Sequence, residues 1–190
     1  IDLYLPGLPA IGTELGASSA ATARTVSIFF AGLALGQLVY GPLSDRLGRR
    51  PPLLFGVALY TFPSLACALA GSIEQLTWAR LAQALGACAA VVMSRAIVGD
   101  LYAREQAARI FSLLLLVMGA APILAPLAGS AILAVASWRW LFAVLAAFGT
   151  LIAGLAIATL LGWALVWAFP HTLTRGDRLP YAFNRVVAFG

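Results

Sequence analysis

From Thr25 onward the chain is a succession of apolar runs joined by links of only a few polar residues. A helix needs about 20 consecutive apolar residues to cross the hydrocarbon core of a bilayer, and these runs are that long. The chain is 62% hydrophobic and 10% charged, whereas a soluble domain averages roughly 25% charged residues. A chain of this length cannot hide so much apolar surface in one soluble core. Lipid must therefore be much of its solvent.

The runs divide as follows. An incomplete first span covers Ile1 to about Ile11, interrupted by Pro6 and Pro9, and Gly12 to Ser19 is expected to be a loop. Because Ile1-Asp2-Leu3-Tyr4 has the character of mid-span sequence, the first helix is expected to begin upstream. Further spans are expected over 25–43, 52–69, 76–98, 110–135 and 141–169, the fifth broken by Pro122 and Pro126. Residues 1–170 thus form one transmembrane bundle. Residues 171–190, with Arg175, Asp177, Arg178 and Arg185, are expected to start a cytoplasmic linker.

Charge orients the bundle. The formal net charge is +5, and all 12 basic residues are arginine. Arg46, Arg49, Arg50, Arg104 and Arg109 fall on one side with the tail arginines, while Arg24, Arg139, Glu14 and Glu74 fall on the other. The positive-inside rule places the arginine-rich side in the cytoplasm. Arginines scattered in short loops suit anionic lipid and offer no continuous face to a nucleic acid backbone. Cys67 and Cys88 lie inside spans and are expected to be buried as small hydrophobes, with no metal or disulfide role. The five tryptophans, including Trp138 and Trp140, are expected to be interface anchors. Gly32 and Gly36, four apart, form a small-residue packing face.

The link Gly41-Pro42-Leu43-Ser44-Asp45-Arg46-Leu47-Gly48-Arg49-Arg50-Pro51 concentrates glycine and charge at a helix mouth. A carboxylate there can accept charge-assisted hydrogen bonds from arginines and lock two helices together. The alternative is that the arginines merely hold the loop in the cytoplasm. The order Gly-x-x-x-Asp-Arg-x-Gly-Arg-Arg closely resembles the loop between the second and third helices of major facilitator superfamily transporters. On the fourth span Arg80, Gln83 and Gly86 resemble that superfamily's Arg-x-x-Gln-Gly segment, with Ala84-Leu85 inserted before the glycine. The run Ser94 to Asp100 is similar to the same region of bicyclomycin-resistance-type (Bcr/CflA) drug:proton antiporters. Arg80, inside an apolar span, either faces protein or snorkels to the interface.

Two more segments match that subfamily. Gly119-Ala120-Ala121-Pro122-Ile123-Leu124-Ala125-Pro126-Leu127-Ala128-Gly129-Ser130 resembles the antiporter motif of drug exporters, with Ala125 and Ser130 in place of glycines. It is either a bend used in transport or a packing kink. Asp2-Leu3-Tyr4-Leu5-Pro6-Gly7-Leu8-Pro9 resembles the Asp-x-Tyr-Leu-Pro-x-x-Pro segment of the first helix. Asp2 is then either an intramembrane carboxylate, able to exchange a proton, or a solvated flank. His171 stands where the subfamily more often has an acid, and no function is assigned to it.

The resemblance implies an all-α polytopic membrane protein: the six-helix N-terminal half of the major facilitator fold, made of two inverted three-helix repeats. It implies a bacterial inner-membrane, proton-coupled exporter of drugs or other small hydrophobic or cationic compounds, needing a second six-helix half and no cofactor. Asp2, Arg80 and Gln83 would couple proton and substrate. Gly41, Asp45, Arg46, Gly48, Arg49, Arg50 and Asp100 would gate the cytoplasmic side, and Gly119, Pro122, Pro126 and Gly129 would bend the fifth helix. The rival is an uptake porter for a sugar, peptide or metabolite; a non-transporting scaffold is a more distant one. An enzyme would need clustered His, Cys, Asp or Glu, and the acids here are scattered.

Overall fold

The computed structural model describes residues 2–168, with side chains to residue 159. Every described element is helical. A 3-10 helix, Asp2–Gly7, leads into α1, Leu8–Glu14; then follow α2, Ser19–Leu47, α3, Arg50–Ala68, α4, Ile73–Leu101, α5, Arg104–Leu133, and α6, Arg139–Ala168. Among the described residues, five helices are long and apolar enough to cross a membrane. The expected linker over 171–190 and His171 lie outside the described residues.

Most helices extend beyond the apolar runs, because their ends take in the flanking polar residues. At about 1.5 Å per residue the 29 residues of α4 reach some 43 Å, more than the hydrocarbon core. Hydroxyls set the starts of α2 and α4. Ser18 Oγ accepts from Ala21 N at 3.2 Å, and Ser72 Oγ accepts from Gln75 N at 3.2 Å while Gln75 Oε1 accepts from Gly71 N at 3.0 Å. Gly48 closes α2 with φ of 78°, a conformation that favours glycine, and prolines open α3 just beyond it. The expected loop over Gly12–Ser19 shortens, since α1 continues to Glu14.

The expected break in the fifth span does not occur: α5 runs without interruption through Pro122 and Pro126. An apolar surrounding leaves the backbone nothing else to bond, so the helix is kept on either side of each proline.

Small residues build the centre. α4 is gripped by α2 and α3. Gly32 of α2 lies against Ala84 and Leu81, Gly36 lies against Cys88, and Gly86 lies against the α3 backbone at Leu59 and Tyr60. Such close approach gives helices their contact area where no hydrophobic effect drives them together. α6 packs on α3, with Gly149 against Thr61 and Tyr60. α5 stands apart. Its buried residues are Ala107 and Gly129, and Gly129 abuts the backbone of Leu3 and the ring of Pro6. Leu113, Leu115, Leu116, Ile123, Leu124 and Leu127 of α5 are exposed, as expected of a helix facing lipid or another apolar body.

Candidate functional site

One polar cluster lies deep in the bundle and another caps one end. The deep cluster starts from the spacing of Arg80 and Gln83, which puts both on one face of α4. Arg80 is 1% exposed and Gln83 is fully buried. Arg80 Nη1 donates to Gln83 Oε1 at 2.6 Å, and Gln83 Nε2 donates to Ser64 Oγ at 2.6 Å. Ser64 Oγ in turn donates to the Tyr60 carbonyl at 2.6 Å, which ties the chain to α3. The guanidinium carbon sits 4.1 Å from the ring centres of both Tyr4 and Phe29, and 5.7 Å from that of Phe142. Cation–π contact of this kind contributes about 2 kcal/mol when desolvated. Tyr4 is itself fixed, its hydroxyl 3.2 Å from Thr25 Oγ1.

Arg80 therefore does not snorkel to the interface. Nε and Nη2 have no hydrogen-bond partner among the described residues, and no ion pair joins Arg80 to Asp2 or to another carboxylate there. A guanidinium stays protonated, so the cluster is a buried, uncompensated positive charge held by aromatic faces and one amide. Asp2 lies two residues before Tyr4 in the 3-10 helix and is half-buried.

The second cluster centres on Arg49. Its Nε donates to Asp100 Oδ2 at 2.9 Å, and its Nη1 donates to Asp45 Oδ1 at 2.9 Å and to Ser44 Oγ at 2.6 Å. One arginine in the two-residue link between α2 and α3 thus binds the last turns of α2 and α4. The bonds to Asp100 and then Asp45 raise the Arg49 pKa above its ordinary value, so this cation stays charged. Arg46 is exposed and no bond joins it to this cluster. Gly41 and Gly119 have open space where a side chain would stand, so neither is needed for packing among the described residues.

Sequence reasoning missed a third cluster. Trp138 was expected at the lipid interface, yet it is 1% exposed, and its Nε1 donates to Glu14 Oε2 at 2.7 Å. Arg139 Nη2 donates to Glu14 Oε1 at 2.8 Å, and Nη1 donates to the carbonyls of Ala68 and Ala70. The exposed Trp78 and Trp140 do fit lipid-facing positions. The side chains of Trp163 and Trp167 lie outside the described residues. Cys67 and Cys88 are buried and free, in separate clusters of the core.

A bundle of membrane-length helices around a buried arginine, with an arginine–aspartate knot at one mouth, defines a polytopic transporter fold. The profile of the Major Facilitator Superfamily matches residues 1–175, and the chain belongs to that family. It is 42% identical over 154 residues to the "Uncharacterized MFS-type transporter YdgK" of Bacillus subtilis, covering 80% of this chain and 38% of that protein. It is 31% identical over 187 residues to the "Bicyclomycin resistance protein homolog" of Haemophilus influenzae, covering 98% and 45% respectively. It is 36% identical over 183 residues to the "Multidrug transporter MdfA" of Yersinia pestis, covering 95% and 42%. The chain thus spans less than half the length of these curated relatives.

Proposed function

We propose that this chain is the N-terminal half of a proton-coupled exporter of drugs or other small hydrophobic or cationic compounds. The observation that carries the reading is the buried Arg80–Gln83–Ser64 chain beneath Tyr4 and Phe29. A charge inside a membrane bundle is expensive, at roughly 2.5–3.5 kcal/mol on insertion scales, and such charges mark transport pathways. Likeness to relatives named for multidrug and bicyclomycin resistance favours export over uptake.

In this reading substrate passes between this half and a second half. Asp2 takes and releases the proton, and a cationic substrate competes for the same carboxylate. Arg80 biases Asp2 toward its charged form when the two approach. Its spare N–H groups are suited to that meeting. The Arg49 knot lies on the cytoplasmic side and holds that mouth shut while the other opens. The exposed faces of α5 and the open space at Gly41 and Gly119 meet the second half. The drive is a proton gradient.

The direct test uses the full-length protein in everted membrane vesicles. Gradient-driven uptake of a cationic drug into the vesicles is expected, together with its loss in Arg80→Ala. Uptake unaffected by collapsing the proton gradient would contradict the coupling.

A further inference from the structure

Glu14, Trp138 and Arg139 form a closed polar knot at the end of the bundle opposite Asp100. Glu14 uses both carboxylate oxygens, one on each partner. Arg139 adds the Ala68 and Ala70 carbonyls, at 3.0 and 2.8 Å, at the C-terminal end of α3, where the helix dipole favours a cation. Its guanidinium also lies 4.5 Å from the Trp138 ring centre. Three elements far apart in sequence, α1, α3 and α6, are thereby joined at one point.

The knot does not end at the surface. Trp138 packs edge-on against Phe142, one turn further along α6, with ring centres 6.1 Å apart. Phe142 packs against Tyr4 at 5.6 Å, and both rings face the Arg80 guanidinium. A continuous run of aromatic contact therefore leads from the half-exposed Glu14–Arg139 pair to the buried cation. Cys67 lies in the same packed group as Trp138, Phe142 and Tyr4.

We propose that Glu14, Trp138 and Arg139 are positioning residues: their knot seats Phe142 and Tyr4 on Arg80, so that opening it loosens the aromatic cage around the guanidinium. The assignment extends the reading of the Arg80 cluster given above. Its test reads thiol exposure rather than transport, so either can fail alone.

Cys67 and Cys88 are both fully buried, but Cys88 packs with Tyr40 and Met93, away from the knot. They serve as paired reporters. In the full-length protein in detergent, labelling of each by methyl methanethiosulfonate is followed by peptide mass spectrometry. Glu14→Ala should raise the Cys67 rate about tenfold, the factor expected when a charge-assisted hydrogen bond no longer opposes local opening, with Cys88 unchanged. Trp138→Phe keeps one aromatic ring but removes the N–H with the five-membered half of the indole, and it leaves the Glu14–Arg139 bond in place, so it should give a smaller rise at Cys67 alone. This second variant decides the matter should Glu14→Ala fail to fold. Unchanged labelling of Cys67, or equal rises at both thiols, would overturn the proposal.

Discussion

Arg49 donates from Nε to Asp100 Oδ2 at 2.9 Å, tying the link after α2 to the end of α4 across 51 positions of sequence. The other aspartate on Arg49 is not equivalent. Asp45 lies four residues before Arg49, on the adjoining helix end, so its bond is local. Only Asp100 brings in a distant helix.

Asp100→Asn should therefore impair transport by the full-length protein more than Asp45→Asn. Both variants should reach the membrane at normal levels, because partly exposed ion pairs contribute only about 0–1 kcal/mol to stability. Initial efflux rates and membrane yield, compared side by side, check this. Equal, unimpaired rates would reduce the loop to a topology signal.

The knot should also persist at alkaline pH. Raising a base's folded pKa adds stability that is present below its unfolded value and lost only as pH rises through the folded one. For Arg49 that window lies above the ordinary arginine range. The yield of a disulfide trap between Leu47→Cys and Gly99→Cys, once corrected for thiolate content, should be the same from about pH 7 to about pH 9. A yield that falls across that interval would contradict the assignment.

Arg80 offers a separation of stability from function. It is a buried cation without a carboxylate partner among the described residues, and apolar isosteres often replace buried charges at no cost or with a gain. Arg80→Met should leave the thermal midpoint of the full-length protein unchanged or higher while abolishing efflux. A large fall in the midpoint with efflux retained would make Arg80 structural.

Glycines discriminate packing from motif. A methyl at Gly86 meets the backbone at Leu59 and Tyr60, so Gly86→Ala should cost about 1–3 kcal/mol and depress yield. Gly41→Ala meets nothing within 4 Å and should leave yield intact. Detergent-solubilised yield by fluorescence chromatography reads both.

Helix number and order were legible because apolar runs of membrane length leave few alternatives. Helix ends were not, since Arg50, Arg104 and Arg139 are helical although their charge suggested links. The Arg80–Gln83 pair was legible from its resemblance to the family's Arg-x-x-Gln segment. Ser64, nineteen residues back on another helix, and the Tyr4 and Phe29 rings were not, because only tertiary packing brings them there. Trp138 misled for the same reason. Its partner Glu14 is 124 residues away, so a local pattern could suggest only an interface tryptophan. The reach of α5 through its prolines was likewise hidden, because a proline's effect depends on whether water can replace the lost bond.

Proton exchange for substrate at Asp2 is tested most directly by proton release from the purified full-length protein in weakly buffered detergent. Adding a cationic drug should release protons from the wild type and none from Asp2→Asn, whose amide holds no exchangeable charge. Equal release from both proteins would contradict the account and place the coupling carboxylate elsewhere.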